Sequence, residues 1–235
     1  MGITYNCWHG CHKKSEGCLN CYVYRRDLSI GKDSNIVYKT ANFNMPIKKD
    51  RKGNYKYKSG TEFDMCFSSD FFIEEADEWR KDVLTMIKER NDCTFMCITK
   101  RPERIMTCIP NIANYDNLII YCTMENQKRF DERAPIYLNL PLKYKGIMIE
   151  PMLGPIDMSK YLSKEVDIVS CGGESGENAR TLDFEWVKDI KRQADEKGID
   201  FYFHQTGAKL LVNNKLYNIQ RKYQHSQAKK AFRNQ

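Results

Sequence analysis

The chain has 235 residues, 41% hydrophobic and 29% charged, with 38 Lys and Arg against 31 Asp and Glu. That length suits one large domain or two small ones and buries enough apolar surface to fold without staples. A mean hydropathy of −0.66, with no apolar run near the roughly 18 residues of a membrane helix, argues against a membrane partner, and 12% aromatic residues argue against a disordered chain.

The opening MGITYNCWHGC has no basic stretch followed by an apolar one, so the expected compartment is the cytoplasm. Charge is segregated. Residues 1–60 hold 12 Lys/Arg and 4 Asp/Glu, residues 61–207 hold 19 and 27, and residues 208–235 hold 7 and none. Basic ends around an acidic body suit either a polyanionic partner, nucleic acid first, or plain solvation.

In chain order, ITYN at 3–6 predicts a short strand, followed by Cys7, Cys11, Cys18 and Cys21 within fifteen residues and a helix from Cys21 to about Ser29. NMPIKKDRKGNYKYKSG at 44–60 reads as an exposed basic loop or hairpin. Continuous apolar runs predict strands at 63–68, 94–99, 118–123, 146–150, 166–171 and 199–204, as expected of strands buried on both faces of a parallel sheet. Between them, Ile73, Ala76, Trp79, Val83, Met86 and Ile87 recur at helical spacing over 73–90. Glu74, Glu75, Asp77 and Glu78 open that segment and Lys88 and Arg90 close it, which suits the helix dipole. Phe184, Val187, Ile190 and Ala194 form a second stripe over 183–197 before Gly198, a natural stop. Shorter helices fit 102–109, 126–134 and 158–163.

This alternation predicts an α/β fold, a parallel (β/α) barrel of six to seven strands, partial or complete. The expected body is 1–207 with the insert 44–60, followed by a basic tail, 208–235. The tail interleaves Lys and Arg with Tyr217, Tyr223 and Phe232, suited to a nucleic-acid backbone and stacked bases or, equally, to packing on the body. Chemistry in such folds sits at the C-terminal strand ends. Those ends carry Ser69 and Asp70, Thr99 and Lys100, Glu125 and Asn126, Glu150, Gly172-Gly173-Glu174, and Gln205. Cys66, Cys97, Cys122 and Cys171 lie inside apolar runs and read as core.

Cys11, Cys18 and Cys21 have the spacing C-x6-C-x2-C. Three thiolates suit a [4Fe–4S] cluster with one open iron or a Cys3His zinc site. Gly10 and Gly17, each before a cysteine, let backbone wrap closely around sulfide; His9 and His12 keep zinc open. Cys7 reads as a small residue at the turn rather than a fourth ligand. Trp8, His9 and Tyr22 are placed to shield a cluster, and His204 is either a substrate contact or a core histidine. Glu125 and Asn126 suit a vicinal diol, Lys100 and Arg101 a carboxylate or phosphate, and Glu150 an acid/base role or a pairing with Lys100.

The stretch WHGCHKKSEGCLNCY resembles the opening motif of a phage-associated three-Cys-motif family, long catalogued as a domain of unknown function and regarded as radical S-adenosylmethionine (SAM)-like. SSDFF at 68–72, ITKRPERI at 98–105, MENQKRFDER at 124–133, IEPMLGPI at 149–156, CGGESGENAR at 171–180 and FHQTG at 203–207 resemble its later blocks, in order. The resemblance implies a radical SAM-type barrel in which Cys11, Cys18 and Cys21 hold a [4Fe–4S] cluster whose open iron binds SAM. It implies an enzyme that uses a reductant such as flavodoxin or ferredoxin to generate a 5′-deoxyadenosyl radical, which abstracts hydrogen from a substrate, with nucleic acid or a nucleotide the candidate. Two features depart from the usual pattern. The first cysteine gap is six rather than three, and Ser68-Ser69-Asp70 stands where a Gly-Gly-Glu motif would contact the SAM amine. Asp70 or Ser69 is therefore expected to take the amine, with Gly172, Gly173 and Glu174 as further candidate SAM contacts. The alternative expectation is a non-catalytic zinc or iron–sulfur nucleic-acid-binding protein.

Overall fold

The apolar runs become strands because each has apolar surface to bury, on both faces at the centre of the sheet and on one at its edges, and they assemble in the order in which they leave the chain. In the computed structural model, which describes residues 2–232, the strands are β1 (Ile3–Tyr5), β2 (Glu62–Met65), β3 (Thr94–Thr99), β4 (Leu118–Thr123), β5 (Lys145–Ile149), β6 (Ile168–Gly172) and β7 (Asp200–Gln205). They form one seven-stranded parallel sheet in the order β1-β2-β3-β4-β5-β6-β7. A doubly wound sheet reverses direction at a switch point; this one never does, and β1 and β7 are its two edges. It is the partial form of the expected parallel barrel.

Six helices accompany the sheet among the described residues: α1 (Tyr22–Ser29), α2 (Asp77–Glu89), α3 (Ile105–Cys108), α4 (Gln127–Tyr137), α5 (Phe184–Lys197) and α6 (Arg221–Lys230). Backbone contacts divide the chain into two compact units, residues 1–13, 26–121 and 140–144, and residues 14–25, 122–139 and 145–235.

In the first unit Tyr5, Phe63 and Phe95 line the strands. Phe63 stacks on Phe95 at 5.1 Å between ring centroids and meets the edge of Tyr5 at 5.8 Å. Val83, Met86 and Ile87 of α2 are buried, as their spacing predicts. Cys66 and Cys97 are buried here, and Cys122 and Cys171 in the second unit, so all four behave as core. The basic segment 44–60 has a 3-10 turn at Met45–Ile47 and a bridge between Lys49 and Tyr55. Fully buried Arg90 donates to the carbonyls of Pro46 at 2.6 Å and Tyr57 at 2.8 Å, fastening both ends of the segment while Lys49, Arg51, Lys52, Lys56 and Lys58 stay exposed.

In the second unit α5 and α6 both pack on β7, with Phe232 within 5.5 Å of Phe184 and 5.7 Å of Phe201 between ring centroids. Gly198 ends α5 at φ 66°, a conformation glycine adopts without penalty. Strand Lys209–Val212 pairs antiparallel with Lys215–Asn218 around Asn213 and Asn214, both at positive φ, as a two-residue hairpin turn requires. The segment after 207 is thus a hairpin and a packed helix; the last three residues of the basic tail 208–235 lie outside the described residues.

Two helix expectations change. Residues 159–161 are a turn rather than part of a helix over 158–163, since a single turn does not offset its nucleation cost. Helix α4 runs past Pro135 to Tyr137 instead of stopping at 134. No helix among the described residues is long and apolar enough to cross a membrane.

Candidate functional site

The cysteine motif is held by each unit through its own contacts. In the first unit Gly10 has φ 93°, and a Cβ there would sit 2.1 Å from the Ile36 carbonyl, so only glycine lets the chain pass into Cys11. The Gly10 N–H donates to Ser68 O, the Ser69 hydroxyl donates to Gly10 O, and the Cys11 N–H donates to Ser34 O at 2.8 Å. Ser69, expected at the SAM amine, thus also braces the loop.

Asp70 is buried at the end of β2. Its carboxylate accepts from Phe72 N (2.9 Å), Thr99 Oγ1 (2.8 Å), Lys100 N (3.1 Å) and Arg101 Nη1 (2.9 Å). These four donors hold the carboxylate at the end of β2. Arg101 also donates to the His12 carbonyl at 2.9 Å. Burial lowers the Arg101 pKa, but the negative charges of Asp70 and the Cys11 sulfur outweigh it and hold the guanidinium charged. Arg101 is therefore a cation beside the first cysteine, and Lys100 contributes its backbone N–H to the same turn.

The nearby histidines are engaged by carboxylates. His9 Nε2 lies 2.7 Å from Asp27 Oδ2, which also accepts from Ser34 Oγ at 2.5 Å, and His12 pairs with Glu75. Trp8 is fully buried, stacked on Phe71 at 5.3 Å with its indole N–H on the Asp70 carbonyl. Cys7 is core: its sulfur lies 3.1 Å from Cys66 Sγ, and burial with that hydrogen bond raises its pKa well above the ordinary thiol value. This supports leaving it out of the ligand set.

In the second unit the loop carrying Cys18 and Cys21 is clamped from several sides. Buried Glu125 accepts from the Ser15 hydroxyl, from Gly17 N at 3.2 Å and from Arg133 Nη1 at 2.8 Å. A Cβ on Gly17 would stand 3.0 Å from Glu125 Oε1. Arg129 grips Glu16 bidentately at 2.8 and 2.9 Å. Arg129 and Arg133 are four residues apart, hence on one face of α4. The Glu16 carboxyl is lowered to about 2, chiefly by the Arg129 hydrogen bond. Asn126, expected at a ribose, caps α4 by accepting from Arg129 N at 2.9 Å.

Glu174 takes Asn20 Nδ2 at 2.9 Å and the Arg180 side chain at 2.5 Å, while Arg180 donates to Glu16 O at 3.0 Å. Burial pushes the Glu174 carboxyl up, but the Arg180 and Asn20 hydrogen bonds outweigh it and the net shift is downward. The adjacent glycines serve close approach. A Cβ on Gly172 would meet Glu150 at 2.8 Å and one on Gly173 would meet Thr206 O at 2.4 Å. Glu150 is paired with His204 Nδ1 at 2.7 Å and accepts from Gln205 Nε2. Sequence reasoning passed over Arg129, Arg133, Arg180 and Asn20; the i, i+4 arginines after Glu125 and the arginine six residues after Glu174 were the available signals.

The donor chemistry of the motif fits an iron–sulfur cluster. Cys11, Cys18 and Cys21 are free thiols of intermediate burial, soft ligands of the kind such clusters take. The Lys14 N–H donates to Cys18 Sγ at 3.5 Å. Among the described residues no group of three or more His, Cys, Asp or Glu is gathered to hold a metal ion. The fit therefore lies in donor type and in the anchoring of each loop within its own unit.

Residues 1–233 match the family described as protein of unknown function (DUF5131). No curated protein matches the chain. Among solved structures, the chain is similar to a spore photoproduct lyase carrying a cysteine-to-serine substitution, at 10% identity and TM-score 0.54 over 85% of this chain and 75% of that one. It is also similar to a spore photoproduct lyase complexed with dinucleoside spore photoproduct, at 10% identity and TM-score 0.50 over 97% of this chain and 71% of that one. At this identity the likeness establishes the fold alone, a parallel α/β sheet that curls as a partial barrel.

Proposed function

The chain belongs to the DUF5131 family, and from that premise, its fold and its clamped cysteine loop we propose that it is a radical SAM-type enzyme. Cys11, Cys18 and Cys21 would hold a [4Fe–4S] cluster, leaving one iron for SAM. The observation that carries this reading is the fastening of the segment with Cys18 and Cys21 by one fully buried ion pair and one half-buried one. Glu125 with Arg133 and Glu174 with Arg180 commit ion pairs to one loop, a desolvation cost that a loop without a ligand to position does not need. When bound, cluster and SAM together supply a 5′-deoxyadenosyl radical able to abstract hydrogen.

The chain's own residues bind and orient. Arg101 sets a positive charge beside Cys11. Glu125 and Arg129 fix the turn before Cys18, and Glu174 fixes Asn20 before Cys21. Glu125 and Glu174, expected at the cofactor, also support the loop, Asn126 caps α4, and Gly172 and Gly173 give close backbone approach.

Nucleic acid or a nucleotide is the proposed substrate. The exposed cations of 44–60 and the dinucleoside bound by one structural relative support this class. A flavodoxin- or ferredoxin-like reductant is the proposed electron source, and a reducing cytoplasm, in a phage-associated setting, suits the ten free thiols. Anaerobic reconstitution with iron and sulfide tests the reading. The expected result is a brown protein that forms 5′-deoxyadenosine from SAM, with iron lost in Cys18→Ala and retained in Cys7→Ala. A colourless protein with tightly bound zinc, or equal iron loss in both variants, overturns it.

A further inference from the structure

At the C-terminal end of β7, a histidine is held in one orientation by partners from three places in the second unit. His204 Nδ1 lies 2.7 Å from Glu150 Oε2, just beyond β5. Gln205 Nε2 donates to the other carboxylate oxygen, so the carboxylate cannot swing away without losing both bonds. The carboxylate occupies the space a Cβ on Gly172 would take, so β6 is cut back to admit it. The His204 side chain keeps 30% of its surface exposed while that of Glu150 keeps 17%. With Nδ1 committed to the carboxylate, Nε2 is the nitrogen left to serve the exposed side of the ring.

Such bracing is more than a satisfied core histidine requires, because a core imidazole buries both nitrogens. We propose that Glu150 and His204 form a proton-transfer dyad, in which the carboxylate orients the imidazole through Nδ1 and Nε2 exchanges a proton with a hydrogen-bond-accepting oxygen or nitrogen of the substrate. The inference rests on the radical SAM reading only for the reaction that this proton accompanies. In the acid direction, the Nε2–H bond breaks, the substrate heteroatom gains the proton and the electron pair stays on Nε2. The Nδ1–H to Glu150 contact persists through the transfer. The dyad favours a polar substrate over a hydrocarbon one.

The groups facing His204 set the direction of its titration. The Glu150 hydrogen bond raises the pKa; burial and the positive charge of Arg221 on α6 oppose this, and the net shift is upward from 6.5. His225 of α6 stands 4.7 Å away between ring centroids and donates from Nδ1 to the His204 carbonyl, and Tyr202 flanks the ring at 6.0 Å.

Diethyl pyrocarbonate labelling of the full chain, read residue by residue by mass spectrometry across pH, tests the dyad, because only an accessible, unprotonated imidazole nitrogen reacts. His204 is expected to label with a midpoint above about 6.5, to shift down in Glu150→Gln, and to hold its midpoint in His225→Ala. No labelling of His204 while His12 labels, a wild-type midpoint at or below about 6.5, or an unchanged midpoint in Glu150→Gln overturns the proposal. The wild-type midpoint decides even where the variant does not fold. The readout needs neither iron nor SAM, so a chain that labels as expected yet takes up no cluster keeps the dyad and loses the radical SAM reading.

Discussion

The backbone N–H of Gly17 donates to the carboxylate of Glu125 at 3.2 Å, across 108 positions of chain. A side chain at 17 would close that gap, since its Cβ would stand 3.0 Å from Oε1. The glycine beside Cys18 is thus a docking point for a buried acid from the end of β4, and the acid carries its own counter-charge in Arg133.

Removing that acid is therefore expected to act twice. Glu125→Ala leaves Arg133 buried and unpaired and frees Ser15 and Gly17. It is expected to destabilise the fold by about 3 kcal/mol and to lower iron retention after reconstitution. Denaturant unfolding and iron analysis on the same samples check this; full stability with full iron contradicts the clamp.

The exposed clamp has a pH signature. Arg129 holds the Glu16 carboxyl at about 2 against an ordinary 4.5. A lowered folded value means the pair stabilises the fold fully above about pH 4.5 and loses that contribution as pH falls toward 2. Because Glu16 is largely solvated, the effect is expected to stay under about 1 kcal/mol. Arg129→Gln should lower the unfolding midpoint at pH 7 and converge with wild type in strong acid; a constant difference across pH removes the ion pair as the cause.

Asp70 is expected to behave as an organiser of Arg101. Asp70→Ala leaves a buried guanidinium unpaired beside Cys11 and is expected to cost about 3 kcal/mol, with iron retention and SAM affinity falling together. Loss of SAM affinity alone, with stability and iron intact, would restore the direct amine contact expected from its strand-end position.

Nucleic-acid binding through 44–60 predicts a salt-dependent affinity. Arg51→Glu with Lys52→Glu, both exposed at a turn, should weaken binding of a single-stranded oligonucleotide. The log–log salt slope should fall by about 0.7 for each phosphate that is no longer neutralised. Filter binding across salt concentrations measures this, and an unchanged slope places the interaction elsewhere. Deleting 208–235 is a poorer probe, since Phe232 packs on Phe184 and Phe201.

Much of the architecture is written locally. A run such as LIIYCT or TFMCIT has no polar face to show to water, so it becomes a strand covered on both sides, and Gly198 ends α5 where its φ is needed. Cys66, Cys97, Cys122 and Cys171 were legible as core for the same reason. The helix expected over 158–163 failed because a single turn depends on neighbours rather than on its own propensity.

The candidate site was legible in its residue types and in its position at strand ends, but the partners were not. Glu125, Glu174 and Asp70 read as acids that meet a ligand, and Glu150 as an acid/base or a partner of Lys100; each has partners far away in sequence or on an adjoining strand. Burial of apolar groups is non-directional and follows composition, so periodicity along the chain foretells it. Pairing of buried charges is directional and demands a partner within about 3 Å. Which residues come that close was decided only when the strands took their order and the loop before Cys18 and Cys21 came down onto α4 and the end of β6.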